Sequence, residues 1–150
     1  MKRTLLLLAL TLSLGACSTT RMTTAETLAL YKSHAGEPVK DFQYFGRISG
    51  WNPLGDSALT VWTRPNQAYL LELYGPCTDL DFAPAISMSN MAGRVSARFD
   101  NVYVHGGGGA SSIRLPCRIE TIRPLDVKAL KQAQKELREA QMVEREAASG

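Results

Sequence analysis

Ten of the eleven aromatic residues fall between Phe42 and Tyr103, so any sizeable hydrophobic core must be assembled from that middle stretch. Within it the apolar residues recur mainly at period two. Phe42, Tyr44 and Ile48 share one face of an extended segment, and Arg94-Val95-Ser96-Ala97-Arg98-Phe99 alternates apolar with charged or polar. That alternation describes strands with one buried and one wet face, which favours an antiparallel sheet over a parallel α/β array. Ala58–Thr63 and Tyr69–Tyr74 are joined by Arg64-Pro65-Asn66-Gln67, where Pro65 pre-sets the backbone of a turn, predicting a hairpin. A second hairpin is predicted from Arg94–Phe99 to Val102–His105 through Asp100-Asn101. Cys117–Ile122 supplies a further strand before Pro124.

Helices are expected on either side of this β region. Thr23-Thr24-Ala25-Glu26 matches the capping box, and Leu28, Leu30 and Tyr31 continue it into a short helix with Gly36 as its stop. From Leu125 the pattern changes: Val127, Leu130, Ala133, Leu137, Ala140 and Val143 mark a narrow apolar stripe on a highly charged helix. Its expected arrangement is a docked first half with a solvated end. The fold class is therefore α+β: a small antiparallel sheet domain with a short N-terminal helix, a charged C-terminal helix and one disulfide.

The N-terminus reads as an address. Met1-Lys2-Arg3 precedes the apolar run Leu5–Leu14, only ten residues long and about half a membrane span. Small residues Gly15-Ala16 and then Cys17 follow, as in a secretory signal peptide. Leu14-Gly15-Ala16-Cys17 resembles a bacterial lipobox, whose cysteine is lipidated, and Ser18 in place of Asp resembles the outer-membrane sorting pattern. The expected divisions are a signal peptide over 1–16, anchor and tether over 17–24, the α+β domain over 25–127 and the charged helix over 128–150. Without Lys2 and Arg3, the 17 basic residues become 15 against 14 acidic ones. Residues 41–124 carry seven of each sign and 125–150 five of each, so no basic stripe suits a nucleic acid.

Cysteine parity gives a pairing. Three cysteines are an odd count for an exported protein, but lipidation of Cys17 leaves Cys77 and Cys117 to form a disulfide in an oxidising compartment.

Catalytic constellations are harder to find. Gly106–Gly109 lacks the Lys of a phosphate loop, and no Lys occurs between Lys40 and Lys128. A Ser-His-Asp set from Ser111 or Ser112, His105 and Asp100 has no supporting frame. His34 suits a helix end, where its partial charge complements the dipole. Asp79 and Asp81 suit a turn better than an acid–base pair. No metal site or cofactor is expected, and no enzymatic activity. Core packing is the expected role of Trp51 and Trp62, which are also the residues from which a binding surface would be built. Trp51 is read in a Gly/Pro loop, Trp51-Asn52-Pro53-Leu54-Gly55.

Over about Leu30 to Val127 the chain resembles a family of uncharacterised Gram-negative lipoproteins, domain-of-unknown-function family 6491. The resemblance is carried by Gly36-Glu37-Pro38-Val39 with Asp41-Phe42, by Trp51–Gly55 and by Ala68-Tyr69-Leu70-Leu71-Glu72-Leu73. It continues through Cys77-Thr78-Asp79-Leu80-Asp81-Phe82-Ala83 and Cys117-Arg118-Ile119-Glu120-Thr121-Ile122-Arg123-Pro124-Leu125. It implies an envelope lipoprotein with paired cysteines and transfers no catalytic residue. The expected function is a non-catalytic binding or structural accessory of the envelope, held to the membrane by lipid on Cys17, with an envelope protein as partner. Its expected location is the outer membrane, facing the periplasm. The alternative expectation is a periplasmic inhibitor of a host or competitor hydrolase, with Trp51–Gly55 as the inserting loop.

Overall fold

The computed structural model describes residues 21–106 and 115–150. The leader, Cys17, Gly107–Gly109, Ser111 and Ser112 lie outside the described residues. Helix α1 (Thr24–Ser33) starts as the capping box predicts: Thr23 Oγ1 accepts the Glu26 amide, and the Glu26 carboxylate accepts the Thr23 amide at 2.7 Å. Those hydrogen bonds from Thr23 hold the Glu26 carboxyl below its ordinary range. The helix ends at Ser33, earlier than the Gly36 stop expected. His34 is the C-cap, and its Nδ1 lies 2.8 Å from the Leu30 carbonyl.

Eight strands follow: β1 (Asp41–Gln43), β2 (Gly50–Pro53), β3 (Ala58–Arg64), β4 (Gln67–Leu73), β5 (Ala85–Met88), β6 (Arg94–Ser96), β7 (Asn101–His105) and β8 (Cys117–Pro124). Six form one antiparallel sheet in the order β2-β3-β4-β8-β7-β5, and β1 pairs with β6 in a separate two-stranded ribbon. The chain ends in α2 (Val127–Ser149), whose N-cap carboxylate on Asp126 accepts the Ala129 amide. No helix among the described residues is long and apolar enough to cross a membrane.

The β3–β4 hairpin forms as predicted, with Arg64 opposite Gln67 across Pro65-Asn66. The second predicted hairpin does not. Residues 94–96 pair with Asp41–Gln43, while β7 pairs with β5 and β8. The Asp100 carboxylate explains why: it accepts the Ser96 amide at 2.8 Å and turns the chain directly after Ser96, so the alternation never continues to Phe99 as a strand. Asp100 is itself buried, and Ser89 Oγ donates to it at 2.7 Å.

The one wet face expected of the sheet is also covered at its centre. Leu59, Val61, Leu71 and Leu73 face one core with Phe42, Tyr44, Leu80, Val95 and Ile122. Ala58, Ala68 and Leu70 face a second core formed with Tyr31 of α1 and with Leu125, Val127 and Leu130. Residues 58–61 are consequently buried without a break, because both helices lie on the face that alternation alone would leave to water. Cys77 and Cys117 are disulfide-bonded with Cα atoms 5.6 Å apart, tying the segment that follows β4 to the start of β8.

Candidate functional site

A cleft of about 540 Å³ opens where three segments meet: Pro38–Asp41, Ser96–Phe99 and Glu120–Thr121. Backbone hydrogen bonds fix each wall. The Val39 amide donates to the Ile122 carbonyl at 2.8 Å, holding the N-terminal segment along β8. The Ala97 amide donates to the Lys40 carbonyl at 2.9 Å, and the Arg98 amide to the Ile119 carbonyl at 2.7 Å. β8 is irregular here: Leu73 faces Ile119 but Glu72 faces Thr121, so Glu120 is the extra residue of a bulge. Bulges re-aim side chains and are over-represented next to functional sites.

The turn after β6 presents an aromatic ring to water. Arg98 has φ +69°, a conformation that costs a non-glycine residue of order 1 kcal/mol, and the surrounding hydrogen bonds hold it there. Phe99 follows and is 81% exposed. Below it, the Asp100 amide donates to the Ser96 carbonyl at 3.0 Å, which makes the platform rigid. A large ring held in water on such a turn is available to pack against a partner or ligand.

Charge around the cleft is partly neutralised. Arg94 donates to the Asp41 carboxylate, and that contact pushes the guanidinium above its ordinary range. Glu72, behind Thr121, feels burial raising its pKa. Hydrogen bonds from Lys32 and Thr121 and the charges of Lys32 and Arg123 outweigh it, so the carboxyl titrates below its ordinary value. The Lys32 Nζ–Glu72 distance is 2.7 Å and Thr121 Oγ1 donates at 2.9 Å. Among the described residues, Lys40, Arg98 and Glu120 have no ion-pair partner, which leaves two cations and one carboxylate for a ligand. Such a set can hold a ligand with an apolar body and polar groups of either sign. It supplies no imidazole or thiol.

The residues singled out from sequence are scattered. Trp51 lies on β2 and packs into the first core, whereas Trp62 on β3 packs against the second. The two indoles sit on opposite faces of one sheet, because they occupy out-of-phase positions in the β2–β3 ladder, where Trp51 faces Val61 and Trp62 faces Gly50. They therefore form no common surface. Lys131 Nζ stands 5.8 Å from the Trp62 ring, a cation–π contact that pins α2. Trp51–Pro53 is paired strand rather than loop, and Leu54 is buried, so this segment does not project as an inserting element.

His105 and Asp100 are not brought together. His105 Nε2 lies 2.6 Å from Ser87 Oγ on β5, while the Asp100 carboxylate is occupied by Ser89 and Ser96. Gly106 has φ +77°, and a Cβ there would meet Pro84 at 2.7 Å. Asp79, at φ +62°, precedes the 3-10 turn Leu80–Phe82, and its backbone carbonyl, not its carboxylate, accepts the Phe82 amide at 3.1 Å. Asp79 and Asp81 are both exposed, and no group of three potential metal ligands exists among the described residues. The cleft itself escaped sequence reasoning because Phe99 completes an alternating pattern and reads as an inward-facing strand residue. The available signal was Asp100-Asn101, which ends the strand three residues earlier than the pattern implies.

A family model described as a family of unknown function (DUF6491) matches residues 1–141. No curated protein and no solved structure matches.

Proposed function

We propose that this chain, which belongs to the DUF6491 family of unknown function, is a lipid-anchored protein of the cell envelope that binds a partner or ligand without transforming it. The observation that carries this reading is the disposition of the cysteines. Cys77 and Cys117 are joined, leaving Cys17, directly after Leu14-Gly15-Ala16, as the one cysteine outside the pair. A disulfide persists in an oxidising compartment, and the leader supplies the route there. A diacyl or triacyl cysteine would hold the domain at a membrane effectively permanently, since stable anchoring takes more than one chain. The ring of Phe99, the charges of Lys40, Arg98 and Glu120, which have no ion-pair partner among the described residues, and the turn beneath them support a binding role. An outer-membrane position facing the periplasm is favoured by Ser18 after the cysteine.

The test is the Cys17→Ser variant expressed beside the native chain. Native protein should enter the detergent phase on phase separation and float with membranes, and the variant should be unprocessed or soluble. Native protein recovered wholly in the aqueous periplasmic fraction would refute the anchor.

A further inference from the structure

The chain leaving Cys17 reaches the domain at one particular end. Thr24 lies seven steps along the chain from Cys17, and a fully extended chain of that length spans no more than about 25 Å. Thr24 stands beside the turn between β2 and β3, where a Cβ on Gly55 would lie 3.2 Å from Thr24 Cγ2. The same turn is tied to the disulfide, since the Cys77 amide donates to the Asp56 carbonyl at 2.7 Å and the Leu73 amide to the Ser57 carbonyl at 2.9 Å. Cys77 carries Cys117 with it, and the Tyr74 amide donates to the Arg118 carbonyl at 3.1 Å. The 3-10 turn Leu80–Phe82 hangs from this corner through the Leu80 amide, which donates to the Cys77 carbonyl at 3.2 Å.

Three large apolar side chains are left in water at this corner. Phe82 is 86% exposed, Leu115 67% and Tyr74 56%. Leu80, two residues before Phe82, is fully buried, so the turn is anchored and Phe82 is held out rather than loose. Phe and Leu are apolar and Tyr is amphipathic, the composition that settles at a membrane–water boundary.

Resting on the lipid anchor proposed above, we propose that this end of the domain lies against the bilayer that holds Cys17. Phe82, Leu115 and Tyr74 would enter the boundary between headgroups and acyl chains, so the lipid tether and the apolar corner together fix the orientation of the protein. The contact is apolar rather than electrostatic. Asp56, Asp79, Asp81 and Arg118 belong to the segments that form this corner, so anionic lipid gains nothing there and added salt leaves the contact in place.

The test uses the full-length lipidated protein reconstituted into phosphatidylethanolamine–phosphatidylglycerol vesicles whose acyl chains carry bromine, a short-range quencher of indole fluorescence. Phe82→Trp is compared with Arg64→Trp, which places the probe at the other end of β3, about 20 Å away along a strand of this length. The signal of Trp51 and Trp62 is subtracted from the wild type measured in parallel. Bromine quenching of the Phe82→Trp indole but not of Arg64→Trp, unchanged by salt, is expected. Tyr74→Trp gives an independent probe of the same corner should Phe82→Trp fail to fold. Protein that floats with the vesicles but shows no greater quenching at these corner positions than at position 64 overturns this proposal and leaves the anchor standing. Shielding of the corner probes from a water-soluble quencher without bromine quenching assigns the patch to contact with a second copy of this chain, the one other protein in the vesicles, and also overturns it. Wild-type protein that does not float overturns both the anchor and the orientation.

Discussion

Thr60 has no accessible surface, and its Oγ1 has no hydrogen-bond partner among the described residues. It shares the face of Ala58 and Trp62 beneath the helices, so the hydroxyl has been taken from water without compensation. A buried unsatisfied donor costs about 1–3 kcal/mol, and replacing it with a methyl of similar shape removes that cost. Thr60→Val is therefore expected to raise stability by about 1 kcal/mol, read as a higher midpoint with unchanged slope in urea unfolding. A lower midpoint would show that the hydroxyl has a partner. Glu72 makes the opposite kind of prediction. Its carboxyl titrates below its ordinary value because Lys32, Thr121 and Arg123 favour the charged form. A carboxyl depressed on folding contributes stability above its unfolded pKa and loses it as the pH falls through the folded one. Glu72→Gln should accordingly destabilise the protein at neutral pH and flatten the decline of stability below about pH 4.5, the ordinary glutamate value. Parallel stability–pH curves for the two proteins would contradict this.

The elements differ in how far local sequence determines them. The capping box of α1, the Pro65-Asn66 turn and the stripe of α2 are local signals, each complete within a few residues, and all three appear in the structure. The pairing of β6 with β1 was not legible, because Arg94 and Gln43 lie far apart in the chain and the choice of partner depends on burying Val95 against Phe42. Once that pairing forms, Asp100 is free to close the turn beneath Phe99, so the cleft inherits the same illegibility. In α2, Val127 and Leu130 are buried, Ala133 and Gln134 are half-buried, and Leu137, Met142 and Val143 are exposed. Among the described residues, the last side-chain hydrogen bond from the helix to the domain is Gln134 Nε2 donating to Tyr31 Oη at 3.2 Å. Truncation after Lys131 should then leave a cooperative thermal transition lowered by only a few degrees, as expected for about 1 kcal/mol in a domain of this size. Loss of the transition would mean that the distal turns carry the fold.

At the scale of the whole molecule, the disulfide divides the structure unequally. The loop it closes spans 40 residues and contains β5, β6 and β7, together with the turn that carries Phe99. Of the remaining strands, β1 pairs with β6 of the loop, while β2, β3, β4 and β8 lie between two cores, one of them shared with both helices. On the chain-entropy model, closing a loop of this length stabilises the fold by roughly 4 kcal/mol, a large part of the 5–15 kcal/mol typical of a domain. Much of that stabilisation should be felt where the ladder is weakest. Among the described residues, β7 is joined to β8 through two residue pairs, Asn101–Arg118 and Val102–Cys117, the second of which contains the bridge itself. Reduction should therefore loosen the β5–β7 corner before it melts the β3–β4–β8 centre. Hydrogen exchange on reduced and oxidised protein is expected to show amides of β5 and β7 speeding up far more than those of β3 and β4, with the Phe99 turn following the corner. Uniform acceleration across all strands would mean that the disulfide supports the domain as a single cooperative unit, and that the cleft is no more dependent on it than the core.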